Sequence, residues 1–147
     1  MTDAELLAAY KQCALSEAQL DHRTHVKLGF LLLQAHSFDE ALASLGETLP
    51  VINARLGKPE GPLEGYNETT THAFLQLIRV TMDAYTELMP AANADAFCEA
   101  HPQLMSKHAL RLFYSPERRQ HPDAKIRFVE PDLAPLPVSN SVPPAPH

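Results

Sequence analysis

A chain of 147 residues, 45% hydrophobic and 20% charged, is long enough to bury one real core and has the composition of a single folded domain. Its formal charge is −6 with histidine neutral, and no basic run exceeds Arg118-Arg119. That excludes the basic stripe of a nucleic-acid surface and the cationic patch that an anionic membrane attracts.

The first helix is signalled by Thr2-Asp3-Ala4-Glu5, a capping box in which a hydroxyl and a glutamate satisfy free amides of the first turn. Leu6, Leu7, Tyr10, Cys13 and Ala14 follow on one stripe. A second box, Ser16 to Gln19, is flanked by Leu15 and Leu20 as a hydrophobic staple and predicts a helix reaching about Ala35. Val26, Phe30 and Leu33 share one side of it. A third box, Ser37 to Glu40, opens a helix through Leu42, Leu45, Leu49 and Ile52, which Pro50 should kink or end. Gly57 to Gly65 reads as a loop. The longest helix is expected from Asn67 to about Met89, with apolar stripes through Leu77, Val80 and Leu88 and through Leu75, Ile78 and Met82, the pattern of a helix packed on two sides.

Beyond Asn93 two shorter helices divide at His101-Pro102, the second carrying Leu104, Met105, His108, Leu112 and Phe113. Ser115-Pro116 and His121-Pro122 open further short turns. No alternating strand pattern occurs. From Pro131 the composition changes, with six of the thirteen prolines in the last seventeen residues. Pro131 to Pro137 is expected to lie extended across the domain through Leu133 and Leu136, and the remainder to be a solvated, disordered tail. The expected architecture is all-α: an irregular bundle of five to six helices over residues 1–130, with a proline-rich tail over 131–147.

The longest apolar run, Leu28 to Leu33, is far short of the ~20 residues that span a bilayer. The stretch Met1 to Glu5 is acidic where a secretory signal is basic. Cys13 and Cys98 have neither the spacing of a disulfide framework nor that of a metal pair. Both are expected as buried thiols of a cytoplasmic protein.

Of the eight histidines, His36, His101 and His121 stand at helix boundaries, His108 reads as a core or rim residue, and His147 is in the tail. His22 and His25 differ. Three residues apart on a helix, they project within about 60° of each other. Their stripes continue into Val26, Gly29 and Leu33 and into Leu28 and Leu32, so both rings should face inward. Asp21 is placed to ligate, or to orient the His25 ring. The second element is Tyr66-Asn67-Glu68-Thr69-Thr70-Thr71-His72. Glu68 begins a stripe through Thr71, Leu75 and Ile78, whereas the stripe of His72 continues to Gln76, Arg79 and Asp83 and reads as a solvent-facing edge. The plainer alternatives are partly buried histidines with main-chain partners, and a Glu68 that meets the positive end of its helix.

Helical bundles build metal sites from two imidazoles and a carboxylate on different helices, a set that suits a divalent ion such as zinc or iron. His22, His25 and Glu68 are therefore the candidate ligands or catalytic groups, with Tyr66, Thr71 and His72 as candidate ligand-binding neighbours.

Asp21-His22-Arg23-Thr24-His25, Tyr66-Asn67-Glu68-Thr69, Tyr114-Ser115-Pro116-Glu117-Arg118 and Phe128-Val129-Glu130-Pro131-Asp132-Leu133, in that order, resemble the motifs of a group of small uncharacterised bacterial all-helical proteins. In that group a His-x-x-His stretch is followed by Tyr-His-Glu-Thr. By position, the resemblance implies His22, His25 and Glu68 as the polar cluster. Asn67 stands where the group has histidine, replacing a metal-type ligand with a helix N-cap residue.

The leading expectation is a small-molecule enzyme or ligand-binding protein with a His/Glu pocket between helices. The alternative is a non-catalytic interaction protein, a homodimer or an accessory subunit of a larger enzyme, which an exposed apolar stripe on the first helix would favour.

Overall fold

The computed structural model describes residues 1–144 and is all-helical over them. Seven α-helices follow in order: α1 (Asp3–Lys11), α2 (His22–Ala35), α3 (Phe38–Arg55), α4 (Glu68–Tyr85), α5 (Ala94–Ala100), α6 (Pro116–Arg119) and α7 (Pro122–Ile126). Two 3-10 turns, Pro102–Leu104 and Ala109–Leu112, link α5 to α6. Among the described residues no helix is long and apolar enough to cross a membrane.

The bundle is organised around α2, which touches α1, α3, α4 and α5. Seven of its residues, Val26 and Leu28 through Leu33, are buried, an almost continuous apolar surface that suits a helix enclosed on most sides. Phe30 stacks on Phe97 of α5 at 4.5 Å between ring centres. Leu6 and Tyr10 of α1 are also buried. Of the stripe expected on this helix, Leu7 and Cys13 are half-buried and Ala14 is exposed.

Local capping explains where the helices begin. Both halves of the Thr2/Glu5 and Ser37/Glu40 boxes are present. The Ser16/Gln19 box forms as well, at 2.9 and 3.2 Å, yet it closes an isolated turn rather than opening α2. The reason is Asp21, whose carboxylate accepts from the Thr24 N–H at 2.8 Å. It caps the helix five residues later than expected, after Leu15 and Leu20 have been drawn into the core. α3 runs through Pro50 to Arg55, with Leu49 and Ile52 buried on either side. Arg55 at its end donates to the Leu15 carbonyl.

α4 ends at Tyr85, not near Met89. Leu88 and Met89, at 80% and 48% exposure, find no core to pack on, so nothing offsets the entropy of another helical turn. The predicted helix after Pro102 is broken into the two 3-10 turns. His108 and Leu112 consequently face solvent instead of the core or its rim. Cys98 is buried as expected, whereas Cys13 is only partly so.

The C-terminal segment is tied to α4. Thr69 Oγ1 donates to the Arg127 carbonyl at 2.9 Å and accepts from the Val129 N–H at 3.2 Å. Leu136 is buried, while Leu133 is exposed. Gln76 Nε2 donates to the Pro137 carbonyl at 2.8 Å. The chain follows α4 further than its composition suggests, since Ser139 Oγ donates to Asp83 at 2.5 Å. The expectations for residues 145–147, including His147, lie outside the described residues.

Candidate functional site

A cavity of about 330 Å³ lies between α2, α3 and α4. Its walls are mainly apolar: Val26 and Gly29 of α2, Leu45 and Leu49 of α3, and Phe74, Leu75 and Ile78 of α4. Its polar lining comes from His22, His25, Thr70, Thr71 and Lys107. Gly29 brings the α2 backbone close to α4 at the wall: a Cβ there would lie 2.7 Å from Ile78 Cδ1 and would push that methyl aside.

Because Asp21 caps α2, His22 and His25 occupy its first turns on the side that faces the cavity. Each ring has one nitrogen committed to a main-chain carbonyl. His25 Nδ1 donates to the Asp21 carbonyl at 2.8 Å, and His22 Nε2 donates to the Leu104 carbonyl at 2.8 Å. A carbonyl can only accept, so these nitrogens carry the hydrogens. In a neutral ring the remaining nitrogens, His25 Nε2 and His22 Nδ1, have only lone pairs to offer. Burial pushes the His25 pKa down, and the neighbouring His22 and Lys58 push the same way against the opposing Asp21 main-chain bond. His25 is thus held as a neutral hydrogen-bond and proton acceptor. Asp21 orients it through its backbone, not through the carboxylate.

Glu68 is not part of the cavity wall. Its carboxylate accepts from the Tyr66 phenol at 2.7 Å, and the pair sits over Gly46 of α3, where a Cβ would lie 3.3 Å from the phenol oxygen. Tyr66 is held in place through its carbonyl, which accepts from Lys125 Nζ at 2.7 Å. Burial, the largest cause, and the Glu68 bond raise the Tyr66 pKa well above its ordinary value. The Thr71 hydroxyl also bears on this phenol while lining the cavity. Tyr66 and Thr71 therefore connect Glu68 to the cavity indirectly.

Among the described residues no group of three or more His, Cys, Asp or Glu side chains is placed to hold a metal ion. The expected set of His22, His25 and Glu68 is accordingly not assembled: the imidazoles share one cavity, and the carboxylate is turned to the phenol. The zinc or iron expectation therefore has no group of three ligands behind it among the described residues.

His72 is not on a solvent edge. It is 8% exposed, stacked on Phe128 at 3.9 Å and set edge-on to Phe38 at 5.2 Å. This burial pushes its pKa down to about 4, against a weaker opposing pull from Asp39. With Glu68, Asp39, Arg127 and Phe128 it lines a separate groove. His101 is buried too, between Tyr85 and Phe97. Burial raises the Cys98 thiol, which removes it further from thiolate chemistry.

Lys107 and Thr70 complete the cavity rim and were not singled out from the sequence. Lys107 lies in the irregular link between the two 3-10 turns, where no periodicity gives a direction. Thr70 follows Asn67, whose carbonyl side-chain oxygen caps its N–H at 2.9 Å. Compared with known proteins, the chain matches no protein-family model, no curated protein and no solved structure.

Proposed function

We propose that the protein binds a small, mostly apolar molecule in the cavity between α2, α3 and α4, with His25 accepting a hydrogen bond or a proton from it. The observation that carries this reading is the pairing of an apolar hollow of about 330 Å³ with two cavity-lining imidazoles whose other nitrogens are tied to carbonyls. The volume falls at the low end of the range usual for ligand sites, and few polar groups in an apolar wall are what such sites contain. His22 acts mainly as a brace, linking the start of α2 to the Leu104 carbonyl. Tyr66 fixes the Thr71 hydroxyl, with Glu68 behind it.

Toluene tests the binding reading without assuming a head group, since a benzene-sized molecule occupies an apolar cavity of roughly 150 Å³. Methyl resonances of Leu45, Leu49, Leu75 and Ile78 should shift on titration. Saturating toluene that leaves all four unmoved defeats the proposal.

A further inference from the structure

The polar end of the cavity selects a head group, a conclusion that rests on the binding reading above. The geometry points to a small monocarboxylate, an aliphatic or aryl acid whose apolar body lies between α2, α3 and α4 and whose carboxylate meets His25 Nε2 and Lys107.

The charged and titratable neighbours of His25 come from several elements. From α2 come His22 and Asp21; the Asp21 carboxylate accepts from the Thr24 N–H at 2.8 Å, and its charge opposes that of Lys58 at the ring. Just beyond α3 stands Lys58, whose charge bears on the ring. α4 supplies the uncharged hydroxyls of Thr70 and Thr71, and the link between the 3-10 turns supplies Lys107. No aspartate or glutamate is among the residues that line the cavity, and Glu68 is held away by Tyr66.

An ammonium head would meet Lys107 with no carboxylate on the cavity wall to pair with. An alcohol would satisfy His25 Nε2 and leave Lys107 unpaired. A carboxylate accepts from Lys107 and from the Thr70 hydroxyl, the Thr71 hydroxyl being engaged by Tyr66. It also accepts from His25 once Nε2 takes a proton. The balance is simple: the anion enters, one proton from solvent adds to Nε2, and a charge-assisted pair forms with no other bond made or broken. Burial keeps His25 neutral without that anion, so binding draws the proton in, and affinity rises as pH falls towards neutrality.

The test is calorimetry on the full chain at pH 7.5 with hexanoate, 1-hexanol and hexylamine, in two buffers of different ionisation enthalpy. Hexanoate should bind about tenfold more tightly than either of the others, a difference of about 1.4 kcal/mol. It should take up about one proton per site. Lys107→Gln, at an exposed position, should weaken hexanoate several-fold and leave 1-hexanol unchanged. His25→Phe should abolish the proton uptake while still binding toluene, which shows that the variant is folded. Equal affinity for the three heads, or hexanoate binding without proton uptake, overturns the carboxylate assignment while toluene binding keeps the cavity reading intact. Failure of toluene and hexanoate together overturns both.

Discussion

The two faces of α4 carry different amounts of apolar surface and meet opposite fates. One, through Thr71, Phe74, Leu75 and Ile78, is the more apolar and keeps a cavity of about 330 Å³ against α2 and α3. The other, through His72, Gln76, Arg79 and Asp83, is polar in sequence and is closed over by the chain itself. Phe128 stacks on His72, Pro137 accepts from Gln76, and Ser139 donates to Asp83. Apolarity alone did not decide which face is filled. The polar face is sealed because its side chains can satisfy the main chain of an extended segment, and a proline-rich segment has few amide hydrogens of its own to satisfy. On the apolar face Gly29 leaves out a Cβ that would meet Ile78 Cδ1 at 2.7 Å, and the space beside them is not filled.

The largest expected effect comes from the sealed face. His72 has an ordinary value of 6.5 lowered to about 4 by burial. The unfolded chain therefore binds this proton first as pH falls, and stability is lost from about pH 6.5 down through the folded value near 4. Between pH 7.5 and 4.5 this one group should remove about 2.5 kcal/mol. Urea unfolding at both pH values checks it, with His72→Phe expected to flatten the difference. A wild-type loss that persists undiminished in His72→Phe would mean that Phe128 does not seal this ring.

Leu136→Ala should have the next largest effect, about 2 kcal/mol, because it removes the apolar anchor of the segment, which is 7% exposed. Hydrogen exchange locates the consequence. The Val129 amide, held by Thr69, should lose protection, whereas α2 amides next to the cavity should not. Uniform loss over both faces would show that they form one cooperative unit rather than two.

These contrasts also mark how far the sequence was legible. The Thr2/Glu5 and Ser37/Glu40 boxes, the all-α class and the inward turn of His22 and His25 follow from local chemistry and a 3.6-residue period, and the structure has them. Glu68 shares that period with Thr71 but sits in the first turn, where the preceding loop decides the outcome. Tyr66 captures it. The direction of His72 was invisible because its cover, Phe128, is remote in sequence and belongs to a segment without helical periodicity. Ser16 and Gln19 made their box, but a second cap at Asp21 was available five residues on, and local rules do not rank the two.

The smallest expected effect sharpens the open face. In Gly29→Ala two terms oppose. Alanine is favoured over glycine inside a helix by about 1 kcal/mol, while its Cβ would stand 2.7 Å from Ile78 Cδ1, a distance that forces movement. Ile78 also lines the cavity, so its terminal methyl has somewhere to go. Stability should stay within about 1 kcal/mol of wild type, and toluene should bind several-fold more weakly because the displaced methyl takes up volume. Thermal unfolding and the same methyl titration measure the two quantities separately. Heavy destabilisation with unchanged toluene affinity would place the spare volume elsewhere, because a methyl with a hollow beside it moves before a helix does.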